Sequence, residues 1–356
     1  MRDAEGTGGR VIRVMVVDDS AFMRKALSSM LESDPGIKVV DTAKNGAEAV
    51  EKVASVCPDI VTMDIEMPVM DGLEALNHIM AKTPVPVVMV SSLTVEGAKV
   101  TLQALELGAV DFIPKNISEL SINIMNVKNV LIEKIKQIGG RRLVRPALVK
   151  NRVTHMPALP MVPGGVDIVA IGTSTGGPKT LQQIIPALPK DLPVPVLIAQ
   201  HMPANFTGPF AERLNQLSLI TVKEAEDGEP VRPGVAYVAP GGGHMKVAKR
   251  AVTSIISITD ATHQNFIYKP SVDALMSSVA LLYSRKALGI ILTGMGNDGL
   301  QGLAELKKAG GRVIAQNEET CVIYGMPKAV VTAGIADKIL PAEDIPGEII
   351  NSVRGG

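Results

Sequence analysis

The sequence predicts an α/β protein of two wound domains, each a mainly parallel sheet with helices on its faces. Three observations predict it. Short, nearly continuous apolar runs alternate with amphipathic stretches, the pattern of strands buried on both sides. The alternation runs from Val11 to about Ile138, lapses over a basic stretch, and resumes at Val166. The 356 residues suffice for two domains of about 100–200 residues each.

In the first half the expected strands are IRVMVV (12–17), IKVVDTA (37–43), IVTM (60–63), PVVMVS (86–91) and DFI (111–113). Amphipathic stretches at Ala21–Glu32, Ala47–Val56, Leu73–Ala81 and Ala98–Leu107 fall between them and read as helices. Five βα units in about 125 residues predict a flavodoxin-like (βα)5 domain.

The pattern then degrades. Between Glu133 and His155 stand Lys134, Lys136, Arg141, Arg142, Arg145, Lys150 and Arg152, against the single acid Glu133. Gly139-Gly140 breaks the last helix, and Pro146, Pro157, Pro160 and Pro163 follow. This composition reads as a helix end and a linker over 133–165. Its positive charge is ordinarily that of a solvated segment; the sharper reading is contact with an acidic partner surface.

From Val166 the rhythm returns with VDIVAIG, PVLIAQ (195–200), VAYVAP (235–240), VTSIISI (252–258), ALGIILTG (287–294) and RVIAQ (312–316). This predicts a second doubly wound, mainly parallel α/β domain. In such sheets functional groups gather at the carboxyl ends of strands. That rule directs attention to Ser174, His201, His244 and the stretch Met295–Asp298.

Composition narrows the function classes. Formal net charge is zero and Trp is absent, so neither a nucleic-acid field nor a base-stacking surface is indicated. No apolar run approaches ~18 residues, and the first residues lack the apolar core of a secretory signal, so a cytoplasmic protein without membrane insertion is expected. Cys57 and Cys321 form no C-x-x-C pattern and read as buried thiols in a reducing compartment.

Asp18-Asp19 ends the first strand, Asp64 follows the third, Ser91 ends the fourth and Lys115 follows the fifth. Carboxylates converging on one sheet edge repel unless a divalent cation sits among them, and hard oxygen ligands suit Mg²⁺. A carboxylate beside Mg²⁺ can accept a phosphoryl group, whose oxygens a lysine and a hydroxyl can then hold. With VMVVDDS, TMDIEMPVMDG, VMVSS and DFIPK in order, the first half resembles the receiver domain of two-component response regulators. The resemblance implies Asp64 as phosphoacceptor, Asp18 and Asp19 as the acidic pair, and the Glu66 backbone carbonyl as a further metal ligand. It also implies Ser91 and Phe112 as the switch pair. Phe112 stands where Tyr is frequent, so no phenol hydrogen bond belongs to this switch.

In the second half Gly172-Thr173-Ser174-Thr175-Gly176 fits the strand–turn–helix setting of a G-x-S-x-G nucleophile. A serine hydroxyl needs a base. Of five histidines, His78 lies on a helix of the first half, His155 in the linker and His263 in the polar stretch TDATHQN. His244 in PGGGHMK competes with His201 in LIAQHMP, which directly follows a strand and is the preferred base. Asp298, in the glycine-rich turn of ILTGMGNDG, is placed to orient it. The order Ser–His–Asp differs from the Ser–Asp–His order of α/β-hydrolases, so the motif does not signify that family.

GTSTGGP, AQHMP and LTGMGNDG resemble the catalytic domain of the chemotaxis protein-glutamate methylesterases, the CheB family, from about Val166 to Val353. A receiver fused in front is that family's architecture. The resemblance implies a receiver at 11–132, a catalytic domain at 166–353, and Ser174, His201 and Asp298 as triad. It further implies that Thr175 and the Met295 backbone amide stabilise the oxyanion. The family hydrolyses glutamyl methyl esters on methyl-accepting chemotaxis receptors, releasing methanol, and can deamidate receptor glutamines; ester hydrolysis itself takes no cofactor. A chemotaxis histidine kinase is the implied phosphodonor.

The alternative is a phospho-regulated binding module with an inactive hydrolase-like half. A transcriptional regulator fits less well, since the second half alternates strands and helices and lacks a basic surface signal. A nucleotide site at Gly172–Gly177 lacks both G-x-G-x-x-G and the Walker ending.

Overall fold

Strand and helix punctuation in the first half is set by local capping. Ser20, Asn45, Asp71 and Thr94 each accept a hydrogen bond from the amide three residues ahead and so start four helices. The computed structural model describes residues 10–115, 117–140, 165–260 and 268–354, and for 117–127 the backbone alone. The chain divides into two units, Met1–Val149 and Lys150–Gly356.

The first unit runs β1 (Ile12–Val17), α1 (Ala21–Glu32), β2 (Ile37–Ala43), α2 (Gly46–Val56), β3 (Ile60–Asp64), α3 (Gly72–Lys82), β4 (Val87–Ser91), α4 (Val95–Leu107), β5 (Asp111–Pro114) and α5 (Ile117–Gly139). Its sheet has the order β2-β1-β3-β4-β5 and is parallel throughout. The order reverses between β1 and β3, which opens a crevice at their carboxyl ends. Helix α5 reaches Gly139, so residues 133–139, placed in the linker on sequence, are helical. The remaining basic residues of that stretch, Arg141 to Arg152, and His155 lie outside the described residues. One expectation is corrected. Cys57 is exposed rather than buried, because it occupies the left-handed C-cap that ends α2, with φ 49°.

The second unit contains β6 (Ile168–Thr173), α6 (Gly177–Ile184), β7 (Val196–Gln200), α7 (Ala204–Leu217), β8 (Thr221–Glu224), β9 (Val235–Val238), β10 (Gly243–Arg250), β11 (Thr253–Asp260), α8 (Val272–Tyr283), β12 (Ala287–Ile291), α9 (Leu300–Lys308), β13 (Arg312–Gln316), α10 (Met326–Thr332), β14 (Lys338–Leu340) and α11 (Ile345–Arg354). Seven strands form one parallel sheet in the order β14-β13-β12-β6-β7-β9-β8. The reversal lies between β6 and β12. Their inward residues and those of β7 join the α8 residues Val272, Leu275, Met276 and Val279 in one buried core.

A second correction concerns the run 252–258. It is not a further βα unit of the main sheet but β11, paired antiparallel with β10 in a two-stranded hairpin. Met245, Val247 and Ile256 carry the hairpin's apolar side into the core that also holds α8. The opposite side, with Lys246 and Ser257 in register, is half-buried, so the pattern is that of a ribbon covered on one side.

Candidate active site

In the first unit the reversal of strand order gathers the predicted acids. Asp18 and Asp64 are buried, Asp19 is exposed, and one carboxylate oxygen of each lies within 4.8 Å of the others. Lys115 reaches in from the end of β5, its Nζ 2.7 Å from Asp64 Oδ2 and 3.0 Å from Asp18 Oδ2. Burial pushes the Asp64 carboxyl up to about 6, against the Lys115 hydrogen bond and with help from the charges of Asp18 and Asp19. Burial alone would lower the Lys115 ammonium, yet hydrogen bonds to Asp64 and Asp18 hold it above its ordinary value.

The loop after β3 is shaped to leave this crevice open. Met70 N donates to Pro68 O at 2.9 Å, and Val69 at the centre of that γ-turn takes φ 73°. A Cβ on Gly72 would stand 2.1 Å from Asp64 O, so the loop can fold back against β3 only with glycine there. Glu66 is exposed on this loop. Ser91 Oγ, buried at the end of β4, accepts a hydrogen bond from Thr101 Oγ1 at 2.6 Å. Phe112 is buried in β5. A set of hard carboxylate oxygens, one on a buried side chain opposite another, fits a Mg²⁺ ion.

In the second unit the serine turn, the histidine and the aspartate leave three strands around the other reversal. Thr173 pairs with Gln200 across β6 and β7, so Ser174 and His201 emerge at adjoining positions. His201 N donates to Thr173 O at 3.1 Å. Buried Gln200 ties the two loops, its Nε2 donating to Ser174 O and to His201 O, both at 3.0 Å. A Cβ on Gly177 would fall 2.1 Å from Gln200 Oε1, which explains a glycine in the first turn of α6. On the β12 side, Ser174 N donates to Thr293 O at 3.0 Å, and Thr293 Oγ1 donates to Thr175 O at 2.9 Å. Thr293 thus stitches the serine turn to the loop carrying Met295 and Asp298. Thr175 and Met295 are both buried.

Asp298 Oδ2 lies 2.8 Å from His201 Nε2. The carboxylate also accepts from Val272 N at 2.7 Å, Asp273 N at 2.9 Å and Ser271 Oγ at 3.1 Å. It therefore sits on the amino-terminal turn of α8, where unpaired amides and the helix dipole favour an anion. Burial would raise its carboxyl, but His201 and the backbone amides outweigh burial and hold it below the ordinary carboxylate value. With Nε2 committed to Asp298, the buried His201 Nδ1 has no hydrogen-bond partner among the described residues.

A family model for CheB methylesterase matches residues 169–349, and one for the response regulator receiver domain matches residues 14–125. The chain belongs to the CheB methylesterase family. It is 52% identical to a protein-glutamate methylesterase/protein-glutamine glutaminase of Oleidesulfovibrio alaskensis, over 96% of this chain and 100% of that one. A relative of the same name from Thermotoga maritima is 48% identical over 97% of this chain and 99% of its own. The crystal structure of the Thermotoga maritima CheB methylesterase catalytic domain superposes with a TM-score of 0.51 and 46% identity, covering 52% of this chain and 98% of that one.

His244 is fully buried in β10, its Nδ1 accepts from Ser271 N at 3.1 Å, and burial lowers its imidazole below the ordinary value. It buttresses the residue whose hydroxyl holds Asp298. His78 is on α3, 3.9 Å from Glu74, and His263 lies outside the described residues. Three residues of the site were not among the sequence candidates: Tyr268, Ser271 and Asp273. Tyr268 stacks on the His201 ring with centroids 4.5 Å apart and planes 7° from parallel. A Ser followed by a helical pattern is a legible cap signal at Ser271; nothing local marks Tyr268.

Proposed function

We propose that this chain hydrolyses glutamyl methyl esters on methyl-accepting chemotaxis receptors, releasing methanol, and deamidates receptor glutamines by the same chemistry. The carrying observation is the convergence of Ser174, His201 and Asp298 at three adjoining strand ends, with His201 bound to Asp298 at 2.8 Å. His201 takes the hydroxyl proton as Ser174 Oγ bonds to the ester carbonyl carbon. The oxyanion is held by Thr175 and the Met295 amide; one such donor contributes about 10²–10³ in rate. Collapse breaks the C–OCH₃ bond, the imidazolium returns the proton, and methanol leaves. Water then repeats the sequence and restores Ser174. For a glutamine the leaving group is ammonia.

The first unit is the control. Asp64 is the phosphoacceptor, Lys115 and Ser91 hold the phosphoryl oxygens, and Ser91 with Phe112 forms the switch. Asp18, Asp19, Asp64 and the Glu66 carbonyl would hold Mg²⁺, which offsets the negative charge between carboxylate and phosphoryl group. A chemotaxis histidine kinase is the phosphodonor, in the cytoplasm. No helix among the described residues is long and apolar enough to cross a membrane. Phosphorylation of Asp64 activates the esterase; a change of ~1.4 kcal/mol in the equilibrium between its inactive and active states alters the constant tenfold.

Methanol release from methylated receptor membranes, with and without a small phosphodonor, tests both parts. Wild type is expected to accelerate with the phosphodonor, and Ser174→Ala to fold but release no methanol. Turnover retained in Ser174→Ala discards the triad; an unchanged wild-type rate with Asp64 demonstrably phosphorylated discards the control.

A further inference from the structure

The imidazole of His201 is held at one edge by Asp298, and that hold is incomplete. The torsion about Cβ–Cγ of a histidine is broad and has no sharp staggered minima. Nε2 lies nearer the axis of that torsion than Nδ1 does, so a hydrogen bond there constrains the ring plane less than one at Nδ1 would. Nδ1, further from the axis, swings through a larger arc as the ring turns. It is Nδ1 that remains for Ser174, being buried and without a partner among the described residues.

A ring from another segment lies against the face of His201. Tyr268 lies parallel to the imidazole, 7° between planes and 4.5 Å between centroids. The half-buried tyrosine also abuts the Met295–Gly296 turn at its hydroxyl end: a Cβ on Gly296 would lie 3.0 Å from its hydroxyl oxygen and 3.7 Å from Cζ. It therefore touches both His201 and the Met295–Gly296 turn. Tyr268 also stands just before Ser271, Val272 and Asp273, which bind the Asp298 carboxylate. One short segment thus holds the acid of the triad and covers the base.

We propose that Tyr268 is a positioning residue for ester hydrolysis: its face fixes the plane of the His201 ring so that Nδ1 points at the Ser174 hydroxyl, and it stabilises the imidazolium formed when that proton is taken. The proposal rests on the triad reading above. The aromatic face, not the phenol, carries the effect, because a π-face attracts a cation while removing a torsional freedom. Nothing in this role touches the ester, so the loss should fall on kcat.

The test measures methanol release by the full chain on methylated receptor membranes for Tyr268→Phe, Tyr268→Leu and His201→Gln. Tyr268→Leu is expected to lower kcat by about 10–100-fold, the cost of a misplaced catalytic group, with KM within about twofold. Tyr268→Phe is expected to recover most of that loss. The aromatic ring should also displace the His201 ring-proton resonances in histidine-labelled protein, identified by their disappearance in His201→Gln. That displacement should persist in Tyr268→Phe and vanish in Tyr268→Leu. If Tyr268→Leu does not fold, Tyr268→Met fills the same space without a π-face and takes its place.

Wild-type turnover in the Leu or Met variant, beside an inactive His201→Gln, overturns the proposal and leaves the triad standing. So does a Phe variant as slow as Leu, or a rise confined to KM. An active His201→Gln overturns the triad reading and the proposal with it.

Discussion

Asp64 and Asp298 occupy equivalent places in two sheets and carry opposite electrostatic fates. Each is buried, 2% and 7% exposed, and each lies at the carboxyl edge where its sheet's strand order reverses. Burial pushes the Asp64 carboxyl up to about 6, while that of Asp298 is held below the ordinary carboxylate value. The difference is in the donors. Asp298 receives two α8 amides, the Ser271 hydroxyl and the His201 imidazole. Asp64 has the Lys115 ammonium and two carboxylates for neighbours. Burial therefore does not decide charge; the number of donors that stay inside with the carboxylate does. A fully provided anion suits the orienting role proposed for Asp298. An under-provided one suits the phosphoacceptor role proposed for Asp64, which would take a cation and a phosphoryl group.

The most severe way to break the comparison is to spoil the donor-rich site. In Asp298→Asn an amide replaces the acceptor that faces His201 Nε2, so the imidazole is forced toward the wrong tautomer. Turnover on methylated receptor should fall by ~10³–10⁴, as in triads of this kind. Phosphorylation of Asp64 by a small phosphodonor should be unchanged, since it occurs in the other unit. An Asn variant within tenfold of wild type would mean that the donor set around Asp298 serves the fold alone.

Much of this arrangement was legible in the linear order of residues. Near-continuous apolar runs placed β1 to β5 within a residue or two of their ends, because a strand buried on both faces needs every position apolar. Acids and glycines directly after those runs marked both strand-order reversals. The β10–β11 hairpin was not legible as such: β10 has Lys246, Lys249 and Arg250 among its apolar positions, and pairing between two sequence runs is not a property of either. Strands β8 and β14, of four and three residues, are too short to show a period. The surroundings of His201 and Asp298 were also hidden. Tyr268 and Asp273 meet partners 67 and 25 residues away by sequence number, and no local pattern records a stacking or a shared carboxylate cradle.

The donor-poor site can be made poorer still. Lys115→Met removes the cation that lies 2.7 Å from Asp64 and 3.0 Å from Asp18. Two buried carboxylates then face each other uncompensated. Breaking a buried pair typically costs 3–5 kcal/mol, and the partial exposure of the lysine side chain, 20%, reduces this to about 2–3 kcal/mol. Urea melts without divalent cations should show the receiver transition lowered and the esterase transition in place. Adding Mg²⁺ should restore most of the loss. A receiver equally stable with and without Lys115 would mean that like-charge repulsion plays no part in raising Asp64.

The smallest expected effect tests the comparison inside one site. Asp273 stands beside Asp298, and its own Oδ1 accepts from Gly299 N at 2.9 Å and Gly302 N at 2.8 Å at the start of α9. The two acids thus cap each other's helices, yet burial pushes Asp273 up to about 6, with the Asp298 charge adding to it against those amides. A carboxyl raised in the folded state favours the fold while it is protonated. That contribution is complete below the ordinary value of 3.8 and is lost as pH rises through about 6. Asp273→Asn keeps an acceptor for both amides, carries no charge, and can donate to Asp298. It should therefore be more stable than wild type at pH 7 by about 1–3 kcal/mol, because a tenfold change in proton affinity corresponds to ~1.4 kcal/mol and the two acids share their charge. Urea melts of the esterase transition at pH 7, 6 and 5 should show the advantage shrinking toward acid. An advantage that does not change with pH, or an Asn variant weaker at pH 7, would place Asp273 among the well-provided anions with Asp298 rather than with Asp64.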